Sequence, residues 1–316
     1  MRDISRKQMT LRTAHAIAVV YCSEETIRLV ECDQLPKGNL FDVARAAGFI
    51  GAKLTPQFLS HCHPVGIDGM DLFFEYLSGT THPTYFSDPN LPSSGILISV
   101  NAKSIGRTGV EMESLAAASI AALEIYDMLK PVDQKLEIGN IKLCQKTGGK
   151  SENHAYLGMI STCAILVCSD AIAAGTRADK SGLLIKEILE SYKTNIIDYQ
   201  IVPDEKTLIQ SQIQKWVAAD VHFIFTTGGT GLGPRDHTVA AVSEILERDA
   251  DGITEAMRAF GQMRTPMAMM SRSVAGAIKQ SLIITLPGSS NGARESLDAI
   301  LPGVFHARKM MLGGGH

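Results

Sequence analysis

Apolar positions follow two different rhythms along this chain. In residues 1–150, strand-like stretches (Arg12–Tyr21, Gly95–Lys103) and helix-like ones (Leu40–Leu54, Gly109–Lys130) come in mixed order. That order predicts an α+β sandwich. Prolines among Thr, Ser and Asn between Gly79 and Gly95 predict a surface hairpin or loop. From residue 160 onward strand and helix alternate. Strands are expected at Thr162–Cys168, Ile196–Val202, 221–226 and Ser281–Leu286. Helices are expected at Ser181–Tyr192, Glu205–Ala218, Val239–Arg248 and Gly292–Leu301. Such alternation predicts a parallel sheet covered on both faces. The join falls near Ser151–Gly158, which is short and polar at its start.

At 316 residues, two domains of about 150 residues are expected. A net charge of −3 provides no global basic field to attract nucleic acid, so an anionic ligand needs local clusters of Lys, Arg and backbone N–H. The six cysteines (Cys22, Cys32, Cys62, Cys144, Cys163, Cys168) form no C-x-x-C pair and read as reduced. No apolar run approaches the ~18 residues of a membrane span. Met1–Lys7 lacks the apolar segment of a signal peptide. A cytoplasmic protein without membrane or nucleic-acid partners is expected.

In the first half, Glu111 and Glu113 stand in the first turn of a helix, where carboxylates either suit the dipole or serve a site. The Ala-rich run that follows predicts close approach to another backbone, in the sheet or in a second subunit. Asp127 and Lys130 are i,i+3 neighbours at its end, a surface ion pair or part of a site, and Pro131 stops the helix there. Lys146-Thr147-Gly148-Gly149-Lys150 is basic and Gly-rich, suited to a polyphosphate or to a mobile tail. In His61-Cys62-His63-Pro64 only the two histidines share a face of an extended chain, so His63 reads as a proton donor or phosphate contact rather than a zinc ligand.

Several motifs occur here in order: Lys37-Gly38-Asn39, Ala44–Gly48, Ala52-Lys53, Cys62-His63-Pro64, Gly106–Glu113, Ile125–Met128 and Lys146–Ser151. Together they resemble the MoaC family, cyclic pyranopterin monophosphate synthase, across residues 1–152. The resemblance implies a ferredoxin-like α+β fold, a hexamer assembled from dimers, and conversion of 3′,8-cyclo-7,8-dihydro-GTP to cyclic pyranopterin monophosphate with loss of pyrophosphate and no cofactor. It carries the family's site onto Lys53, His63, Glu111, Glu113, Asp127, Lys130 and Lys146, with Lys150 as a further cation. Asp127 and Lys130 are expected to move protons, with either as the acid. Lys53, Lys146 and Lys150 are expected to hold departing phosphate oxygens. Lysines and carboxylates should therefore converge on one substrate.

In the second half, the run Thr227-Gly228-Gly229-Thr230-Gly231, followed by Arg235-Asp236, leaves an apolar strand. Glycines there turn the backbone sharply and bring N–H groups onto an anion. Asp179 and Ser181 precede or open a helix, Ser181 as a cap or as part of a site. Asp204 reads as an N-cap or as a site carboxylate, and Ser289-Ser290 form a donor-rich turn at a helix start. With Met270–Gly276 and Gly252–Ala256, these turns resemble the MoaB/MogA family of molybdopterin-binding proteins, over 158–316, a three-layer α/β fold. The resemblance implies trimers or hexamers and adenylylation of molybdopterin with Mg²⁺ and ATP. Asp236 and Asp204 would hold the metal, and Gly228, Gly229, Thr230 and Gly231 a pterin or nucleotide phosphate. A binding or assembly module without catalysis is the alternative.

Overall fold

The computed structural model describes residues 1–78, 94–149 and 161–314. The chain divides into two compact units, Met1–Glu152 and Asn153–His316. The expected loop at 79–93, Lys150 and the join at 151–158 lie outside the described residues.

The first unit runs β1 (Thr10–Tyr21), α1 (Glu24–Glu31), α2 (Leu40–Phe58), β2 (Gly69–Ser78), β3 (Ser94–Gly106), α3 (Glu111–Leu129) and β4 (Glu137–Thr147). Its four strands pair antiparallel in the order β2-β3-β1-β4. β1 is apolar on both faces. Ala18 and Val20 join Ile96, Ile98, Val100 and the alanines of α3 in one core, while Ile17, Val19 and Tyr21 join Leu77 and Leu97 in another. The close approach expected of the Ala-rich helix is to α2. A Cβ on Gly48 would stand 3.2 Å from the Ala117 carbonyl and 2.4 Å from Leu72 Cδ2, so glycine lets the two helices touch.

The second unit runs β5 (Thr162–Cys168), α4 (Asp170–Ala173), α5 (Ser181–Ser191), β6 (Asn195–Val202), α6 (Lys206–Ala218), β7 (Phe223–Thr227), α7 (Thr238–Ser243), β8 (Arg248–Asp249), α8 (Asp251–Gln262), β9 (Ala275–Ile278), β10 (Ser281–Leu286), α9 (Ser290–Ile300) and α10 (Ala307–Met311). Sheet order is β6-β5-β7-β10-β9-β8. Alternate residues of β5 feed separate cores on its two faces, Cys163, Ile165 and Val167 in one and Ala164, Leu166 and Cys168 in the other.

Two expectations change here. The sheet is mixed: β6, β5, β7 and β10 are parallel, whereas β9 pairs antiparallel with β10 and with β8. Only Lys279 and Gln280 separate β9 from β10, with Lys279 at φ 51°, and so short a link cannot make a parallel crossover. The helix expected at Val239–Arg248 ends at Ser243. Glu247 N–H then donates to Ala277 O, and Arg248 enters the sheet beside β9. Tertiary pairing overrides helical periodicity at this point.

In this sheet β5, β6, β7 and β10 end at a common edge, where Cys168 pairs with Val202 and Thr227 with both Val167 and Leu286. The turns after them carry Ser169-Asp170, Asp204, Gly228–Asp236 and Pro287–Ser290 to one place.

Candidate functional site

The first unit holds two polar groups on α3, one at each end. At the N-terminal end, Lys146 Nζ lies 3.1 Å from Glu111 Oε1. Gly109 has no side chain to obstruct the Glu111 carboxylate folded over it. Arg12 donates to the Gly106 carbonyl at 3.3 Å and lies against Gly149, where a Cβ would stand 2.0 Å from its Nη1. Arg12 escaped the sequence reading because it sits in an apolar strand far from the motifs it touches.

Glu113, in the same turn, is 1 % exposed. Its Oε1 accepts from the Cys62 thiol at 3.6 Å, which brings Cys62-His63 to this end, and its Oε2 has no hydrogen-bond partner among the described residues. Burial raises its pKa, with the nearby Glu111 charge adding to the effect. The native state therefore binds this proton more tightly than the unfolded chain. That stabilisation is complete below the ordinary carboxyl range and is lost as pH rises through the shifted value. Glu113→Gln should raise the first unit's unfolding midpoint at pH 8 by about 2–4 °C and leave it nearly unchanged at pH 4, measured by calorimetry.

At the C-terminal end, Asp127 sits between two lysines. Lys130 Nζ is 2.6 Å from Oδ1, and Lys37 Nζ is 2.6 Å from Oδ2 and 2.9 Å from the Asp127 carbonyl. Hydrogen bonds from Lys130 first and Lys37 second hold the Asp127 carboxyl down to about 2, and the same bond raises Lys130. Lys37 was visible only as a motif residue. Nothing local marks it, since α2 and α3 must pack antiparallel before it meets Asp127.

Glu111 and Asp127 are sixteen positions apart on α3, or about 24 Å at 1.5 Å per residue. The expected convergence therefore does not occur within one chain: Glu111, Glu113, Cys62-His63 and Lys146 gather at one end, and Lys37, Asp127 and Lys130 at the other. Lys53 is exposed on α2 and joins no ion pair found among the described residues.

In the second unit a cavity of about 600 Å³ opens at the common strand edge, lined by Asp170, Asp204, Gly228, Gly229, Asp236, Ser289 and Ser290 among others. Gly228 has φ 97°, and a Cβ there would lie 2.1 Å from the Cys168 carbonyl. Only glycine makes that turn. Asp204 does not cap α6, whose N-cap is Glu205. Its Oδ1 accepts instead from His237 N–H at 3.2 Å and Thr238 Oγ1 at 3.3 Å. Asp236 Oδ2 accepts from Gly233 N–H at 2.7 Å. Asp179 rather than Ser181 takes the capping contact of α5, accepting from Gly182 N–H at 2.9 Å. Ser289 both caps α9 and lines the cavity.

The Gly-rich run serves two cavities. Gly228 and Gly229 line the first; Thr230 and Gly231 line a second of about 260 Å³, walled by Met257, Met267, Met270 and Arg258. Ser289 touches both.

The MoaC family matches residues 1–149, and a family described as "Probable molybdopterin binding domain" matches residues 164–306. A molybdenum cofactor biosynthesis bifunctional protein of Chlorobaculum tepidum is 38 % identical over 316 residues, covering 100 % of this chain and 96 % of that protein. The chain belongs to the family of bifunctional molybdenum cofactor biosynthesis proteins. Another member, from Synechococcus elongatus, is 36 % identical over 329 aligned positions, covering 100 % of this chain and 98 % of its own. A cyclic pyranopterin monophosphate synthase of Clostridium perfringens is 43 % identical over 151 residues, which is 48 % of this chain and 87 % of that one.

Membership in this bifunctional family means that both units serve molybdenum cofactor biosynthesis, and it raises the question of a metal in the second. Burial above all pushes the Asp204 carboxyl up, and Asp236 adds like-charge repulsion. A divalent cation between them would relieve both. Among the described residues no group of three or more His, Cys, Asp or Glu could hold a metal ion. Two carboxylates lining this cavity, Asp204 and Asp236, match in number what Mg²⁺ takes when phosphate oxygens complete its coordination. No helix among the described residues is long and apolar enough to cross a membrane.

Proposed function

We propose that the first unit is a cyclic pyranopterin monophosphate synthase, acting on 3′,8-cyclo-7,8-dihydro-GTP and releasing pyrophosphate. The observation that carries this reading is the Lys37–Asp127–Lys130 group. Lys130 stays protonated beside Asp127, and in this reading it serves as the acid once substrate displaces that carboxylate. Asp127 remains the anion that orients both lysines. Lys146 and Arg12 supply cations for phosphate oxygens at the other end of α3. The name of the Clostridium perfringens relative supports the assignment, and the strand order β2-β3-β1-β4 supports the ferredoxin-like reading.

Two half-sites about 24 Å apart on one helix are completed, in this reading, by a second copy that sets its Lys130 end beside the first copy's Glu111 end. Exposed Val43, Ile50, Leu54 and Phe58 on α2 provide apolar surface for such contact. Subunit mixing tests it. Glu111→Gln and Lys130→Ala chains, each inactive alone, should regain about one quarter of wild-type activity when co-expressed in equal amounts and purified together, because half the pairs are mixed and each mixed pair has one of its two sites intact. Mixed oligomers with no activity would place the whole site on one chain.

The second unit, we infer, binds molybdopterin and adenylylates it from ATP and Mg²⁺. The polar cavity suits a nucleotide phosphate with its cation, held by Asp204 and Asp236. The Met-walled one beside it suits the flat face of a pterin ring, with Arg258, Ser271 and Ser273 to meet its polar edge, since thioethers adapt to flat ligands. Metal bound at the two carboxylates would neutralise phosphate charge. Incubating the full chain with molybdopterin, ATP and Mg²⁺ and looking for adenylylated pterin tests this. Tight pterin binding without product would make the unit a binding module.

A further inference from the structure

At the mouth of the larger cavity, Arg235 and Asp170 belong to different loops yet form a two-point ion pair. Arg235 Nε lies 2.9 Å and Nη2 2.7 Å from Asp170 Oδ2. Both side chains are substantially exposed, 67 % and 44 %, so water screens the pair and parting it is easy. The other carboxylate oxygen accepts from Asp204 N–H at 3.1 Å, which holds Asp170 in place whether or not Arg235 stays. A guanidinium fork matches phosphate as well as it matches carboxylate, and a doubly charged phosphate outcompetes a single carboxylate.

We propose that Arg235 is a polyphosphate-binding residue of this cavity and that Asp170 is its resting partner, setting how strongly an anion must bind to draw the guanidinium away. The proposal rests on the cavity's taking a nucleotide phosphate. In the ligand-free protein Arg235 lies on Asp170. A polyphosphate entering beside Gly228 and Gly229 takes the fork, and Asp170 keeps only the Asp204 N–H. Asp170 acts through Arg235 and is a positioning residue.

Calorimetric titration of the full chain with ATP and, separately, with inorganic tripolyphosphate, at fixed magnesium, tests this in a four-protein cycle. Asp170→Asn retains an acceptor for Asp204 N–H but removes the charge that stores Arg235, so both probes should bind about fivefold tighter. Arg235→Gln should weaken both about tenfold. In the Arg235→Gln background, Asp170→Asn should then change affinity by less than about twofold, because nothing is left to release. Equal tightening by Asp170→Asn in both backgrounds would mean general electrostatics and would overturn the proposal; so would weakening by that substitution. Tripolyphosphate binding with the full cycle but no ATP binding would sink the nucleotide reading and keep the ion-pair exchange. ATP binding without the cycle would do the reverse. No binding of either probe would remove both.

Discussion

Lys130→Ala is expected to lower formation of cyclic pyranopterin monophosphate by about 10²–10⁴-fold, the usual size of a general acid's contribution. Lys130 Nζ is 2.6 Å from Asp127 Oδ1, and the bond both raises the lysine and lowers the aspartate. In the resting protein the pair is fully ionised, so a proton becomes available only when substrate competes for the carboxylate. The loss should therefore fall on kcat more than on KM. Unfolding should not move, since the two side chains are 57 % and 49 % exposed and exposed pairs contribute little to stability. A loss of less than about threefold would remove Lys130 from the mechanism, because it falls far short of a general acid's contribution.

Asp236→Asn should reduce adenylyl transfer by at least about 10²-fold, in keeping with removal of one charge facing a transferring phosphoryl group. The first reaction should not change. Asparagine retains an oxygen that can accept from Gly233 N–H, now 2.7 Å from Asp236 Oδ2, so the turn survives while the charge is lost. Affinity for Mn²⁺ in the presence of ATP, read by electron spin resonance, should fall in parallel. Loss of both reactions together would point to damage beyond the site, because Asp236 and Lys130 lie in separate compact units.

Much of the site was legible where function and local backbone geometry coincide. Gly228 must be glycine for a turn that passes 2.1 Å from where its Cβ would be, and that demand shows in sequence as a Gly-rich run after an apolar strand. The acidic first turn of α3 and its Asp127–Lys130 end were legible for the same reason, since 3.6-residue periodicity places them without tertiary knowledge. Asp204 was seen but left ambiguous. A helix start explains an Asp equally well, and only the fold aims this one at His237 and Thr238 instead of its own helix.

The parallel core of the second sheet and the two-unit division follow from the chain's own hydrophobic rhythm, because a run buried on both faces must be apolar at every position. Tertiary structure alone decided the rest. It turned β8 and β9 antiparallel and brought Lys37 ninety positions along the chain to Asp127. Contacts between distant segments depend on which faces pack together, and a local pattern of residues specifies a face without naming its partner.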